Sequence, residues 1–171
     1  YPRPRGRRFD ERVLPSEGAL RLERVPASAV VLGGGVIGVE FASAWASLGA
    51  RVTIVEALPR LVPGEDEAVS KQLERAFRKR RIAVRTNTMF ESVERHDGGV
   101  TVHTQDGRTH DAEVMLIAVG RGPVTADLGY EQAGVATDRG FVTTDGRRRT
   151  SVPGVWAVGD IVPGGQLAPR G

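Results

Sequence analysis

With 171 residues, 40% apolar and 26% charged, the chain has the size and balance of an ordinary globular protein that buries roughly 70% of its unfolded surface. Its 24 basic and 21 acidic residues leave a net charge of only +3, in separated arginine clusters (Arg3 to Arg8, Arg78 to Arg81, Arg147 to Arg149) without interleaved aromatics, which argues against a nucleic-acid partner. Cysteine is absent, excluding disulfides, thiolate metal sites and cysteine redox chemistry in these residues, and no apolar run suits a membrane span or signal peptide, so a cytoplasmic protein without a membrane partner is expected.

The first 25 residues, rich in Arg and Pro, read as an irregular approach segment. Ala29 to Leu32 is a short apolar run that reads as a buried strand, and Val36 to Leu48 reads as a helix closed by Gly49. Arg51 to Val55 is β-branched and reads as a second strand, completing a βαβ unit with a right-handed crossover and parallel strands. After the turn LPRLVPG, a helix is expected over Glu65 to Arg80, with Val69, Leu73, Ala76 and Phe77 as its buried face. Glu65, Asp66 and Glu67 in its first turn and Arg78, Lys79 and Arg80 in its last complement the helix dipole, which accounts for one basic cluster without a ligand. Ile82 to Val84 reads as a third parallel strand. Residues 90 to 115 then alternate apolar and polar around DGG and QDGR turns, the pattern of an antiparallel meander. Val114 to Val119 is again a buried run, and Phe141 to Thr144 and Val155 to Val158 read as two short strands. His96, His103 and His110 fall in the meander and are expected at the surface, without a catalytic or metal role.

The stretch VVLGGGVIGVEFASAWASLGARVTIVE places G-x-G-x-x-G between a strand and a helix inside that βαβ unit. Gly33 permits the tight turn, Gly35 lets a pyrophosphate approach the backbone, and Gly38 lets the helix pack closely on the strand. Amides at the helix start, around Gly34, Val36 and Ile37, would hold the phosphates. Glu56 ends the second strand, 18 residues past Gly38, where a carboxylate binds both adenine-ribose hydroxyls and repels a 2′-phosphate. This favours NAD over NADP, although Arg60 nearby is a residue type that can accommodate that phosphate. Glu40, two residues after Gly38, reads from spacing alone as a surface acid favoured by the helix dipole.

These residues, with LIAVGRGPVT, GYEQAGVATDRGF and RTSVPGVWAVGDIVPGGQLA, resemble the pyridine nucleotide-disulfide oxidoreductases, most closely their dihydrolipoyl dehydrogenase branch, from about Ser16 to Ala168. The resemblance implies an α/β fold in which a Rossmann-like parallel sheet carries a three-stranded antiparallel meander. It implies an NAD-binding domain over 26–123, with 1–25 and 124–171 as parts of the FAD domain. Glu40 and Gly120 would then lie beside the nicotinamide half, Phe90 beside the adenine, and Asp160, Leu167 and Ala168 at an incomplete FAD site. The implied parent is a homodimeric flavoprotein, a partner in a 2-oxoacid dehydrogenase complex, passing hydride between NAD and flavin and electrons to or from a dithiol or disulfide. The family's N-terminal flavin half, its C-x-x-x-x-C pair and its C-terminal interface domain have no match in these residues. By itself the segment, taken as a monomer, is therefore expected to bind NAD and catalyse nothing. The alternatives are an NADH oxidase, a glutathione-reductase-like or mercuric-reductase-like parent, or a stand-alone module that binds NAD or a protein.

Overall fold

The structure, a computed structural model, describes residues 10–120 and 122–163, which fall into two compact units that divide after Gly120. In the first unit, strands β1 (Val13–Leu14), β2 (Ser28–Leu32), β3 (Arg51–Val55), β4 (Ala83–Arg85) and β8 (Val114–Ile117) form a parallel sheet in the order β1-β8-β2-β3-β4. Between β4 and β8 the chain makes an antiparallel meander of β5 (Phe90–His96), β6 (Gly99–Thr104) and β7 (Thr109–Ala112). The expected α/β fold with its three-stranded excursion is thus present.

The sheet is buried on both faces, which is why β2 and β8 are continuous apolar runs, AVVL and VMLI, instead of alternating ones. Ala29, Val31, Ile54, Val114 and Leu116 face helices α2 (Val36–Ser47) and α3 (Glu67–Lys79), while Val30, Leu32, Val55 and Met115 pack against Val100, Val102 and Ala112 of the meander. Both helices end in the same six-residue closure. Ala50 N donates to Trp45 O at 2.9 Å behind α2, and Ile82 N donates to Phe77 O at 3.0 Å behind α3. The left-handed residues these closures need are Gly49 at φ 98° and Arg81 at φ 60°.

Three expectations for the first unit need correction. The approach segment is not irregular throughout: Val13–Leu14 adds β1 to the sheet beside β8, and Ser16–Ala19 forms a single helical turn, α1. Two apolar residues carry too little periodicity to announce an edge strand, and the pairing partner lies far along the chain. The buried face of α3 is rotated: Val69 is 48% exposed and Ala76 is exposed, whereas Ser70, at 1% exposure, lines the inner face with Leu73 and Phe77. A serine is invisible to a hydrophobic pattern, yet its Oγ donates to Leu61 O at 2.7 Å, which makes its burial tolerable. His96 is exposed as expected, but His103 and His110 are half-buried, and burial is the main cause pushing the His110 imidazole pKa down.

Arg80 does more than complement the dipole of α3. Its guanidinium donates to Ser43 Oγ, Ser43 O and Ser47 Oγ, each at 2.7 Å, and so ties the two helix C-termini together. At the other end of the sheet Glu113 accepts from Arg24 and from the Ala27 amide at 2.8 Å, while its own amide donates to Ser28 Oγ at 3.1 Å. Arg24 foremost, then the Ala27 amide, holds the Glu113 carboxyl below its ordinary value of 4.5. A carboxyl depressed in the folded state stabilises above its unfolded pKa and loses that contribution as pH falls through the folded value. Acid unfolding followed by circular dichroism between about pH 5 and 3 should therefore be steeper for the native chain than for Glu113→Gln. Equal slopes would show that this pair contributes nothing.

In the second unit, β9 (Thr137–Asp138) and β10 (Phe141–Val142) form a hairpin over a small core of Val135, Val142, Ala157 and Val162. Asp145 Oδ1 accepts from the Arg147 and Arg149 amides at 2.8 and 2.9 Å, so the third arginine cluster rides on an ordinary aspartate-closed turn. Val155 to Val158 is not a strand, because among the described residues only a single bridge, Arg149 to Trp156, pairs with it. No helix among the described residues is long and apolar enough to cross a membrane.

Candidate functional site

The glycine turn lies between the end of β2 and the start of α2, at the C-terminal edge of the parallel strands, where ligands of such sheets bind. Each glycine there does something different. Gly33 sits at φ 107°, and a Cβ on it would lie 2.4 Å from Ala118 O at the end of β8. A Cβ on Gly38 would lie 2.0 Å from Gly33 O, so α2 rests directly on the turn. On Gly34 it would meet the buried Leu61 side chain at 2.5 Å and Glu56 Oε2 at 3.1 Å. Only around Gly35 is there open space, with no atom within 4 Å of a built Cβ. The surroundings of Gly33, Gly34 and Gly38 are filled by protein, and those of Gly35 are open.

Gly35 is also the N-cap of α2, with extended backbone and no side-chain cap, and the first turn that follows carries no acidic residue. The amides of Val36, Ile37 and Gly38 have no acceptor within the helix, so its positive end is not neutralised locally. That is a polarity suited to an anion. Glu40 comes one residue after the first full turn and is exposed to solvent.

Glu56 follows β3 and is only 8% exposed. Its Oε2 accepts from the Gly34 amide and its Oε1 from the Leu58 amide at 2.7 Å. A carboxylate offers about four acceptor positions, so two backbone amides orient it and two positions remain for hydroxyl donors. Its own backbone is pinned as well: Glu56 N donates to Arg85 O at 2.8 Å and Thr88 N donates to Glu56 O at 2.9 Å. The distant acid and the glycine turn that share one sequence motif are thus joined by a direct hydrogen bond.

Of the remaining residues, Gly120 lies two positions beyond Ala118, which abuts Gly33, and has φ 124° with open space about it. Phe90 begins β5 half-buried, its ring packed against the core between meander and sheet. Asp160 is an exposed residue of the second unit, in the turn after Gly159 at φ 83°. Leu167 and Ala168 lie outside the described residues. Residues outside the expected set complete the surroundings: Leu61 and Val62 meet Gly34, Ser70 and Glu74 hold the Leu61 backbone, and the Leu58 amide holds Glu56. The polar Ser70 in line with Leu73 and Phe77 was the available signal.

A shallow hollow of about 440 Å³ opens at the opposite, N-terminal end of the parallel strands, lined by Arg12, Arg24, Arg51, His96 and Glu113 among others. Arg24 is paired with Glu113, and Arg12 donates to Asp97 O at 2.9 Å and Glu113 O at 3.4 Å. These cations are engaged in holding the fold, and the hollow is remote from the glycine turn. No cluster of His, Asp and Glu suited to a metal occurs among the described residues.

The family described as pyridine nucleotide-disulphide oxidoreductase matches residues 5–171. The dihydrolipoyl dehydrogenase of Geobacillus stearothermophilus is 41% identical over 94% of this chain and 35% of that protein, and that of Bacillus subtilis 42% identical over 94% and 35%. Among solved structures, the HOCl-induced flavoprotein disulfide reductase RclA of Escherichia coli superposes with a TM-score of 0.81 at 37% identity, over 91% of this chain and 36% of that one. LpdA of Mycobacterium tuberculosis gives a TM-score of 0.81 at 35% identity, over 92% and 34%. The chain therefore spans about a third of the length of the relatives it matches. With a family match over nearly every residue and a glycine turn joined to its acid, the chain belongs to the pyridine nucleotide-disulphide oxidoreductases.

Proposed function

We propose that this chain is the NAD(H)-binding portion of an FAD-dependent member of that family. The carrying observation is the turn itself: an uncapped helix start with open space only at Gly35, beside a carboxylate oriented by the Gly34 and Leu58 amides. Pyrophosphate oxygens would take the amides of Gly35, Val36 and Ile37, and the adenine ribose would take the two free acceptor positions of Glu56. Gly120, Glu40 and Phe90 are proposed to line the nicotinamide and adenine ends. Asp160, Leu167 and Ala168 are proposed to belong to a flavin site that this segment does not complete. NAD bound here would supply or accept hydride. The relatives named dihydrolipoyl dehydrogenase favour a parent that couples this transfer, through flavin, to a dithiol or disulfide substrate.

Calorimetric titration of the 171-residue chain with NAD, paired with NADP, tests the reading. Saturable binding of NAD, tighter than NADP, is expected, with no flavin retained on purification and no reduction of lipoamide by NADH. A chain that binds neither dinucleotide would refute the site. Gly35→Ala should be especially informative. At its extended backbone angles and in open space the added methyl should change stability by no more than about 1 kcal/mol. NAD affinity should nevertheless fall roughly tenfold, as the methyl takes the position of a phosphate oxygen. Unchanged affinity would place the pyrophosphate elsewhere.

A further inference from the structure

Arg60 stands four residues after Glu56, and its position in the sequence suits either of two opposite jobs: receiving a 2′-phosphate or shaping the turn. We propose that Arg60 is a positioning residue. It clamps the turn 57–65 so that Glu56 stays fixed, and this clamp strengthens the preference for NAD over NADP. The proposal rests on the glycine turn being an NAD site.

The guanidinium is already engaged. Arg60 Nη2 donates to Pro63 O at 2.9 Å and to Glu65 O at 3.1 Å, and the side chain is half-buried. These bonds fold the chain back on itself around Val62, which sits at φ 42°, a conformation a β-branched residue rarely adopts. Such a residue persists only where its surroundings over-determine it. Here Val62 N donates to Gly34 O at 2.8 Å and Glu65 N donates to Val62 O at 2.9 Å. The neighbouring Leu61 is fully buried against Gly34, its carbonyl accepting from Ser70 Oγ at 2.7 Å and its amide donating to Glu74 Oε1 at 3.2 Å. The turn is thereby fastened on one side to the glycine turn and on the other to α3. Arg60 closes it across the middle.

Glu56 lies at the root of this turn, and the Leu58 amide that fixes Oε1 belongs to it. Without the Arg60 bonds the turn relaxes, the Leu58 amide draws away, and the carboxylate is held through Oε2 alone. Two ribose hydroxyls need both oxygens held in one plane, so NAD binding weakens. A 2′-phosphate needs the carboxylate to move aside, so NADP is excluded less strictly. If instead the guanidinium received the phosphate, its removal would weaken NADP and leave NAD untouched. The two roles predict effects of opposite sign.

The test compares the native chain with Arg60→Ala, and with Arg60→Lys as the milder variant should the alanine form not fold. NAD and NADP are titrated separately, and amide hydrogen exchange is read at Leu58 and Val62. Arg60→Ala should weaken NAD roughly tenfold, leave NADP unchanged or tighter, and speed exchange at both amides. Arg60→Lys, which retains a donor and the charge, should fall between. A general loss of order would lower both affinities together and keep their ratio, which overturns the specificity role. Loss of NADP affinity with NAD retained overturns it in favour of a phosphate receptor. If the native chain binds neither dinucleotide, the NAD reading fails and takes the specificity role with it. Exchange then still decides the clamp: unchanged rates in the variant would overturn that also.

Discussion

Gly33→Ala is expected to lower the unfolding free energy by roughly 2–6 kcal/mol, a large part of the total stability of an ordinary domain. Two independent costs add. The residue sits at φ 107°, where any side chain is strained by about 1–3 kcal/mol. The new methyl would also lie 2.4 Å from Ala118 O and 2.7 Å from Ala118 C, backbone atoms of the chain leaving β8 that cannot swing away as a side chain tip can. Relieving that overlap pushes apart β2 and β8, the centre of the sheet, at about 1–3 kcal/mol more. Thermal unfolding should show a midpoint lowered by roughly 10 °C or more. Gly35→Ala, two residues away, serves as the control because its methyl meets nothing. A Gly33→Ala chain as stable as the native one would mean that the turn does not hold the conformation described.

The second large effect is on binding. Glu56→Ala should weaken NAD about a hundredfold, because two hydroxyl bonds to a carboxylate are removed at about 1.5–3 kcal/mol each, partly replaced by water. Glu56 also supports the fold, because it accepts from the Gly34 amide, and Gly34 is buried. Leaving that amide unpartnered costs about 1–3 kcal/mol of folding free energy. Titration well below the melting transition, with the fold checked by circular dichroism, separates the two losses. NADP should lose far less, since the removed charge opposed its phosphate. If Glu56→Ala binds NAD as tightly as the native chain, the ribose does not lie on this carboxylate.

Much of this fold was written locally. Period-two alternation between two glycine-containing turns announces the meander, because β5, β6 and β7 are joined by links of a few residues whose backbone needs are met by Gly99 and Gly107, both at positive φ. The glycine spacing was legible for the same reason: positive φ at Gly33 and contact between Gly38 and Gly33 are demands a short motif can encode. By contrast β1 has no local signature, and its identity comes only from pairing Val13 with Met115. The inner face of α3 was misread because its innermost residue, Ser70, is polar, and only the carbonyl of Leu61 above it explains why it is buried.

The amino-acid sequence by itself therefore determined the βαβ unit, the turn able to approach a phosphate, and the acid placed at the end of the second strand. Those depend on periodicity and on glycine's missing Cβ, properties carried by neighbouring residues. Tertiary structure alone decided that Glu56 is hydrogen-bonded to the Gly34 amide, that among the glycines of the turn Gly35 alone faces open space, and that Arg60 is engaged by the carbonyls of Pro63 and Glu65. Each of these is a matter of which polar partner lies within about 3 Å once the chain has folded. A side chain's type states what it can bind, whereas its neighbours in space settle what it does bind.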